Sequence, residues 1–262
     1  MSEQHANRIA VISGATAGIG LAIARDLAAG GAKVVVNGRR VERLNAIVDE
    51  LGADAAIAVP GDAGEEATVH AMLDAAPQRW GREADLVVVN AGRGLKGSVF
   101  DSDTEAWASM VRLNVVGAAH LMREAGKRML GAGPDPTKGD QAWLDAAPRD
   151  IVVLGSNVGK HISPFSSMYG GTKFAVNSLA EALRRELGPR GVRVTLIAPG
   201  VVKSEFQSGA GYDPEAFGAF MDEIGPVLTP EDVARTVGFV VSQPPAVHLN
   251  DVLIRPTRQS YP

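Results

Sequence analysis

The 262-residue sequence predicts an α/β fold in which a single domain holds a doubly wound parallel sheet of about seven strands, with helices on both faces. Three observations favour this fold. Short runs rich in β-branched residues alternate with longer Ala- and Leu-rich segments of helical periodicity. The short runs are continuously apolar, as in parallel strands that are buried on both faces. The hydrophobic fraction of 45% is enough for a large core, and no internal repeat or linker divides the chain.

The predicted elements alternate along the chain. The first strand is followed by a helix over 18–29, and the second strand by a helix over 41–51. The predicted strands cover residues 8–13, 33–37, 55–59, 84–90, 150–156, 192–198 and 251–254. Ligands of such sheets bind beyond the carboxyl ends of the strands. The residues that directly follow each strand are therefore the first candidates for a functional site.

Two segments lie outside this alternation. Residues 131–149 contain three prolines and three glycines, and we expect a loop insertion on the surface, held by Trp143 and Leu144. A functional lid is the alternative for this segment. Residues 204–225 are expected to fold over the site as a substrate lid. This second segment is rich in large apolar side chains, namely Phe206, Tyr212, Phe217, Phe220 and Met221.

Composition and charge argue against several classes of protein. The net charge of -4 and the pI near 5.8 argue against a nucleic-acid or membrane-surface protein, because such proteins need a basic surface. The absence of cysteine excludes disulfides and thiolate metal sites, and the five histidines lack ligand spacing, so no metal is expected. The polar start, MSEQHANR, leads directly into a strand, and no run of about 18 apolar residues is present. We therefore expect a cytoplasmic protein.

A glycine-rich turn follows the first predicted strand. Gly14, Gly18 and Gly20 are spaced G-x-x-x-G-x-G in the stretch SGATAGIG, where the strand gives way to a helix. Without side chains at these positions, backbone N–H groups and the helix N-terminus can approach a pyrophosphate. Glycines also permit tight turns and close helix packing, but the strands on either side favour a Rossmann-type dinucleotide site.

The end of the second strand bears on which dinucleotide binds. An acidic residue about 20 positions after the glycines would hydrogen-bond to the adenosine ribose and repel a 2′-phosphate. The chain instead has Arg39 and Arg40, and guanidinium groups bind phosphate well, so NADP(H) is expected and NAD(H) is the alternative. The alternative is that both arginines are solvated residues at the start of a helix. Asp62, after the third strand, is expected to meet the adenine or to cap a local turn.

The sequence contains a single Tyr-x-x-x-Lys pair, Tyr169 and Lys173, in the stretch SSMYGGTKFAV. Residues four apart in a helix share a face, so the phenol and the ammonium would lie side by side. Gly170 and Gly171 are poor helix formers. They are expected either to let ligands approach the helix backbone or to permit tight helix packing at a subunit interface.

Together these motifs resemble those of the short-chain dehydrogenase/reductase family over essentially the whole chain. The likeness rests on SGATAGIG, VNAG at 89–92, Asn114 in VRLNVVG, Ser156 thirteen residues before Tyr169, YGGTK, and APGVVKSEF. Departures are small: Ser13 replaces a customary threonine, Val89 replaces a common asparagine, and Ala17 lacks the basic side chain of many NADP-binding members. The C-terminal part also resembles the branch that contains NADP-dependent 3-hydroxy acid dehydrogenases of the serine type.

The resemblance implies the site residues. Catalysis is expected to depend on Asn114, Ser156, Tyr169 and Lys173. Tyr169 would act as general acid/base with its pKa lowered by Lys173, and Ser156 would hydrogen-bond to the substrate oxygen. Asn114 would bend its helix and hold a water that links Lys173 to solvent. The cofactor is expected to contact Gly14, Thr16, Gly18, Ile19, Gly20, Arg39, Arg40, Asp62, Asn90, Ala91, Gly92, Tyr169, Lys173, Pro199, Gly200, Val202 and Ser204. The long helices before and after Ser156 imply a homotetramer or homodimer.

The expected activity is NADP(H)-dependent hydride transfer between nicotinamide and the carbonyl or secondary alcohol of a small-molecule substrate. A small hydroxy acid or another polar substrate is expected from the basic residues near the strand ends, which are Arg93, Lys96, Lys160, His161 and Lys203. The aromatic residues of 204–225 favour the alternative, an apolar ketone or aldehyde. Further alternatives are a non-catalytic nucleotide-sensing protein of the same fold, and a sugar-nucleotide epimerase or dehydratase, which normally needs a larger C-terminal domain.

Overall fold

A computed structural model describes residues 4–261 of the chain. Its sheet has seven parallel strands in the order β3-β2-β1-β4-β5-β6-β7. The strands are β1 (Ile9–Ile12), β2 (Lys33–Gly38), β3 (Ala56–Pro60), β4 (Leu86–Val89), β5 (Arg149–Leu154), β6 (Val192–Pro199) and β7 (Asp251–Ile254). The strand order reverses between β1 and β4, and this reversal opens a crevice at the carboxyl ends of the strands. The predicted doubly wound parallel sheet is confirmed.

Helices cover both faces of this sheet. They are α1 (Gly18–Ala29), α2 (Val41–Leu51), α3 (Glu66–Trp80), α4 (Glu105–Val111), α5 (Ala118–Ala132), α6 (Asp140–Leu144), α7 (Ser167–Leu187), α8 (Phe206–Gly209), α9 (Pro214–Ile224) and α10 (Pro230–Val241). A π-helical turn, Arg112–Gly117, joins α4 to α5. Within residues 4–261, no helix is both long enough and apolar enough to cross a membrane.

Each face of the sheet has its own hydrophobic core, because successive side chains of a strand point to opposite faces. In β1, Ile9 and Val11 pack with residues of α3, α5 and α7. Ala10 and Ile12 instead pack with residues of α1, α2 and α10. All four side chains are at most 1% exposed. The continuous apolar run of this strand therefore reflects burial on both faces.

The edge strand β7 differs from the predicted pattern of continuously buried strands. Val252 and Ile254 pack against the core formed with α1, α2 and α10. Leu253, on the opposite face, is 39% exposed. The prediction is wrong for β7 because, at this edge of the sheet, one face packs against the core while the face that carries Leu253 is largely uncovered.

The segment 131–149 is only partly a loop, since it contains a 3₁₀ turn (Pro136–Lys138) and the short helix α6. Trp143 Nε1 donates a hydrogen bond of 3.4 Å to the carbonyl oxygen of Gly191. Leu144, in contrast, is 42% exposed. Trp143 therefore anchors this segment to the turn before β6, as expected, and Leu144 does not.

Candidate active site

A cleft of about 1180 Å³ opens at the carboxyl ends of the strands. Most residues that the sequence predicts for the site lie in its walls. These are Gly14, Thr16, Gly18, Ile19, Arg39, Arg40, Asp62, Asn90, Ala91, Gly92, Ser156, Tyr169, Lys173, Pro199, Gly200, Val202 and Ser204. The two other predicted residues, Gly20 and Asn114, lie behind the wall, where they hold neighbouring parts in place.

The glycine-rich turn between β1 and α1 forms one end of the cleft. Gly14 and Gly18 have φ angles of +66° and +54°, a left-handed conformation that glycine adopts without strain. A Cβ atom at Gly14 would lie 2.8 Å from Cα of Ala91, so a side chain would not fit there. At Gly18, where α1 begins, a Cβ atom would contact only Ser204, at 3.5 Å. The start of α1 is therefore open to the cleft, and the turn fits a phosphate-bearing ligand.

A hydrogen-bonded cluster behind the turn fixes its shape. Asn90 Nδ2 donates to the carbonyl oxygens of Ser13 at 2.9 Å and of Gly14 at 3.1 Å. Ser13 Oγ accepts from the backbone N–H groups of Asn90 and Ala91, both at 3.0 Å. A Cβ atom at Gly20 would lie 2.5 Å from Asn90 Nδ2. Gly20 is thus required for packing rather than for a direct ligand contact.

Asn37, at the end of β2, also supports the turn. Its Oδ1 accepts from the N–H of Gly14 at 3.4 Å, and its Nδ2 donates to the carbonyl oxygen of Val59 at 3.0 Å. The side chain is 1% exposed. Asn37 is not among the residues that the sequence predicts for the site. A buried amide at the end of an apolar strand is the signal that would have identified its supporting role.

The two arginines after β2 differ in their contacts. Arg39 is exposed and lines the cleft. Arg40 Nη2 donates to Thr16 Oγ1 at 3.0 Å, and its Nη1 donates to Glu205 Oε2 at 3.2 Å. Arg43 Nη1 donates to both carboxylate oxygens of Glu205 at 2.9 Å. Sequence reasoning missed Arg43 and Glu205, because Glu205 lies 165 residues after Arg40.

Asp62 lines the cleft after β3, and its side chain also serves the local turn. Its Oδ1 accepts from the backbone N–H of Gly64 at 2.9 Å. Of the two functions considered for Asp62 from the sequence, the local turn is therefore observed. Contact with an adenine stays a prediction.

Ser156, Tyr169 and Lys173 come together between β5 and α7. Ser156 follows β5, and its Oγ accepts from the N–H of Val158 at 3.3 Å. Tyr169 and Lys173 share a face of α7, with Lys173 Nζ 5.9 Å from the centre of the tyrosine ring. Both side chains are buried, at 9% and 7% exposure. Lys173 Nζ donates to the carbonyl oxygen of Leu154 at 2.7 Å.

Burial is the largest influence on the pKa values of this pair. Burial raises the pKa of the Tyr169 phenol, and a side-chain hydrogen bond with Ser156 offsets this only in part. Burial also lowers the pKa of Lys173 to about 8. In the protein chain alone, the largest influence on the pKa of Tyr169 is desolvation, which raises it, so the lowering by Lys173 stays a prediction.

Asn114 lies in the π-helical turn and is 3% exposed. Its Oδ1 accepts from the N–H of Arg93 at 2.9 Å, and its Nδ2 donates to the Arg93 carbonyl oxygen at 2.9 Å and to Thr172 Oγ1 at 3.0 Å. The side chain thus joins the loop after β4 to α7. The π-helical turn matches the expected irregular helix, while the water held by Asn114 stays a prediction.

The two glycines after Tyr169 do not face the cleft. A Cβ atom at Gly170 would lie 3.3 Å from the carbonyl oxygen of Val158, so Gly170 allows α7 to approach the turn after β5. Gly171 is exposed, and apart from its own helix backbone a Cβ atom there would have no atom of residues 4–261 within 4 Å. The geometry does not support ligand access to the helix backbone at these residues. Packing at a subunit interface stays a prediction for Gly171.

The segment 204–225 supplies an aromatic wall of the cleft. The rings of Phe206 and Tyr169 lie 5.4 Å apart, centre to centre. A Cβ atom at Gly94 would lie 2.6 Å from the Phe206 ring, which is therefore closely packed. Tyr212, Phe217 and Phe220 also line the cleft, as do three residues that sequence reasoning missed, Phe165, Gln259 and Tyr261.

The basic residues expected at the cleft are only partly there. Arg93 and Lys96 line it, and Arg93 Nη1 donates to Ser109 Oγ at 2.9 Å. Lys160 instead forms an ion pair of 2.5 Å with Asp251 of β7. Two other expected residues lie outside the lining, since His161 contacts Arg255 and Lys203 is exposed. Fewer of the predicted basic residues therefore line the cleft than the sequence indicated.

Comparison with known proteins identifies the family. The family model described as short chain dehydrogenase matches residues 8–214, and the chain belongs to this family. An uncharacterized oxidoreductase of Staphylococcus aureus (strain MW2) is 31% identical over 250 residues, which cover 95% of this chain and 97% of the relative. An uncharacterized oxidoreductase of Staphylococcus epidermidis is 30% identical over 249 residues, with the same coverage of both chains.

Solved structures share the fold over nearly the whole chain. The closed form of serine dehydrogenase complexed with NADP+ has a TM-score of 0.82 and 31% identity, covering 97% of this chain and 96% of that chain. A 3-ketoacyl-(acyl-carrier-protein) reductase from Brucella melitensis, complexed with NADH, has a TM-score of 0.82 and 27% identity, covering 97% and 99%. These two proteins were thus captured with different nicotinamide cofactors.

Proposed function

We propose that the protein is an NADP(H)-dependent oxidoreductase that interconverts a carbonyl group and a secondary alcohol, with Tyr169 as general acid/base. The observation that carries this proposal is the meeting of Ser156, Tyr169 and Lys173 in the wall of a cleft that also contains an open glycine-rich turn. The nicotinamide, when bound, supplies or accepts the hydride. Membership of the short-chain dehydrogenase family supports the same reaction class.

The residues of this chain would bind the cofactor and stabilise the charge that develops on the substrate oxygen. The start of α1 would hold the pyrophosphate, because the missing side chain at Gly18 leaves the helix N-terminus open to the cleft. Lys173 would hold the nicotinamide ribose, as the family resemblance implies. Ser156 would donate a hydrogen bond to the substrate oxygen and stabilise the negative charge that develops there.

Tyr169 would donate its proton to the substrate oxygen as the carbonyl is reduced, since a phenol is protonated at neutral pH. Its hydrogen bond with Ser156 places the two hydroxyls close together, so both could donate to one substrate oxygen after that oxygen replaces their mutual contact. Lys173, with a pKa near 8, can carry or release a proton close to neutral pH and would assist in restoring the tyrosine proton.

The preference for NADP(H) rests on Arg39 and Arg40. Both line the cleft beyond β2, where an acid would select NAD(H). Guanidinium groups form charge-assisted hydrogen bonds to phosphate. The serine dehydrogenase structure with NADP+ supports this preference, whereas the reductase structure with NADH leaves NAD(H) as the alternative.

For the substrate, we infer a small polar molecule such as a hydroxy acid or keto acid. Arg93 and Lys96 in the cleft wall could bind its anionic group. A second candidate, an apolar ketone or aldehyde, is favoured by the aromatic side chains of the proposed lid, 204–225. We propose that residues 204–225 act as a lid because they form one wall of the cleft.

A panel of keto acids, their methyl esters, ketones and aldehydes tests this function. We expect carbonyl-dependent loss of the absorbance of NADPH, faster than that of NADH under the same conditions. The keto acid should be reduced faster than its ester, and Arg93→Ala should decrease that ratio because it removes a cation from the cleft. Lys203→Ala, which changes charge outside the cleft, is the matched control.

The outcomes separate the candidates. If no carbonyl compound causes oxidation of either cofactor, and no alcohol causes reduction of the oxidised forms, the proposed reaction is wrong. If acid and ester react equally well and Arg93→Ala leaves their ratio unchanged, the apolar substrate replaces the polar one.

A further inference from the structure

Glu205 connects two parts of the cleft that are far apart in sequence. Its carboxylate accepts from Arg40 Nη1 at 3.2 Å and from Arg43 Nη1 at 2.9 Å. Arg40 directly precedes α2, and Arg43 lies in its first turn. Glu205 directly precedes α8, at the start of the segment 204–225. One carboxylate therefore joins the arginines beyond β2 to the start of the proposed lid.

These ion pairs can exchange readily. The side chains of Arg40, Arg43 and Glu205 are 44%, 45% and 58% exposed. Exposed pairs of this kind contribute little to stability, because water and salt screen them. The hydrogen bonds from Arg43 and Arg40 lower the pKa of Glu205, so its carboxylate is ionised at neutral pH. Glu205 is thus negatively charged, but its ion pairs with Arg40 and Arg43 are weak.

An acid near the adenosine ribose is the feature that opposes a 2′-phosphate in dinucleotide-binding sheets. In this chain β2 ends without an acid, in Asn37 and Gly38 followed by Arg39. Glu205 nevertheless brings a carboxylate onto the neighbouring Arg40. The same chemical opposition is therefore present, supplied from the loop after β6 instead of from β2.

We propose that Glu205 is a selectivity residue for the cofactor: its carboxylate competes with a 2′-phosphate for Arg40 and Arg43 and so reduces the preference for NADP(H). This inference rests on the proposed function, which places a 2′-phosphate beside Arg39 and Arg40. When a phosphate binds there, Glu205 releases the arginines, which then donate to the phosphate. A dianionic phosphate is the stronger acceptor for paired guanidinium donors.

The exchange also bears on the lid. Phe206, the next residue, packs its ring against Tyr169 at 5.4 Å. Ser204, the preceding residue, is the contact nearest to a Cβ atom built at Gly18. Release of Glu205 would therefore remove one contact that holds the start of the lid, at a point between the glycine turn and the tyrosine.

The test measures binding, without turnover. Adenosine 2′,5′-bisphosphate and AMP differ in the 2′-phosphate, and isothermal titration calorimetry gives the Kd of each. Glu205→Gln keeps the size of the side chain but removes its charge, so the bisphosphate should bind about three- to tenfold more tightly, the range expected when two exposed ion pairs are lost. AMP should bind within about twofold of wild type. Glu215→Gln, an exposed residue of α9 in the same segment, makes the same change in net charge and should change neither Kd.

A second substitution shows whether the arginines carry the effect. In an Arg43→Gln background, Glu205→Gln should give a smaller gain, because one of the contested donors is gone. An equal gain in both backgrounds would mean direct repulsion between Glu205 and the phosphate, and would overturn the competition. Weaker bisphosphate binding by Glu205→Gln would also overturn it, since Glu205 would then orient the arginines for the phosphate.

Failure of this inference and failure of the proposed function look different. The proposed preference for NADP(H) is contradicted if wild type binds AMP as tightly as the bisphosphate. The competition is contradicted if the ratio of the two Kd values is the same in wild type and in Glu205→Gln, whatever that ratio is. Wild type without a preference and Glu205→Gln with one would support the competition and contradict the preference.

Discussion

The two ends of the sheet differ in the partners of their buried charged side chains. At the amino ends of the strands, Asp150 is 1% exposed and forms ion pairs with Arg8 at 2.7 Å and Arg193 at 2.7 Å. Arg8 pairs with Asp85 as well, at 2.6 Å. At the carboxyl ends, buried Lys173 lies beside a neutral phenol and a backbone carbonyl. Basic side chains are therefore buried at both ends of the sheet, beside carboxylates at the amino ends and beside uncharged groups at the carboxyl ends.

The pKa directions express this difference. Burial by itself lowers the pKa of Arg8, but Asp150 and Asp85 outweigh it and the pKa is raised. Burial lowers the pKa of Lys173 to about 8, and no carboxylate among the described residues counteracts it. At the amino ends of the strands the paired groups therefore stay charged. The carboxyl end holds groups that can exchange protons, which is what acid–base chemistry requires.

The largest effect on stability is expected from Asp150→Ala. This change leaves Arg193 buried without a carboxylate partner and leaves Arg8 with Asp85 alone, so the free energy of unfolding should fall by about 3–5 kcal/mol. Urea unfolding followed by circular dichroism measures it. Asp251→Ala is the matched control: it removes an ion pair with Lys160 that is 48% exposed on the aspartate side, and should cost less than about 1 kcal/mol.

The comparison of the two ends sharpens this test. Asp150→Ala should leave the Kd for NADPH unchanged under conditions where it is folded, because Asp150 lies at the end of the sheet opposite the cleft. Equal losses of stability in Asp150→Ala and Asp251→Ala would mean that burial of the ion pairs at the amino ends does not determine how much they contribute to the free energy of unfolding. Complete loss of folding in Asp150→Ala alone would agree with the expected effect.

A smaller effect is expected from the pH dependence of stability. The pKa of Lys173 is about 8 in the folded state and near 10.5 when exposed, so the unfolded chain binds more protons between these values. Stability from this group therefore rises with pH, by about 2 kcal/mol between pH 8 and pH 10. The difference in unfolding free energy between wild type and Lys173→Met, measured across this window, isolates the contribution.

Tyr169 provides the opposite sign above this window. Its pKa is raised from 10.0 in the folded state, so the folded protein keeps a proton that the unfolded chain loses. Stability from Tyr169 therefore falls above pH 10, and Tyr169→Phe should remove that fall. A wild-type protein whose stability relative to Lys173→Met is flat from pH 8 to pH 10 would mean that Lys173 is not desolvated as described.

The sequence predicted the strands and the glycine-rich turn well, because the apolar runs and the glycines occur together in a regular alternation of strands and helices. It also placed Ser156, Tyr169 and Lys173 correctly in one cleft wall, since helical spacing and strand ends determine their positions. The contacts of Glu205 with Arg40 and Arg43 could not be predicted. They depend on how the loop after β6 returns to β2, which no local pattern records.

Other features depended on burial, which a sequence pattern reports poorly. The pKa of Tyr169 was expected to fall because Lys173 is near, but in the protein chain alone burial is the largest influence on it and raises it. Lys160 was expected at the cleft, yet Asp251 of the edge strand binds it. The sequence also did not indicate that Gly171 lies on the exposed side of α7, which also carries Phe174, a residue that is 43% exposed. The homotetramer or homodimer stays a prediction.

The most direct test of the proposed site compares catalysis and binding in Tyr169→Phe. The substitution removes one hydroxyl from the hydrogen bond with Ser156 and leaves the ring that packs against Phe206. With a carbonyl substrate found in the panel, kcat should fall by about 100- to 10,000-fold, the range for loss of a general acid. The Kd for NADPH, measured by fluorescence titration, should stay within about twofold, because the hydroxyl acts on the substrate oxygen. A Tyr169→Phe protein that keeps more than about a tenth of the wild-type kcat would contradict the assignment of Tyr169 as the general acid/base.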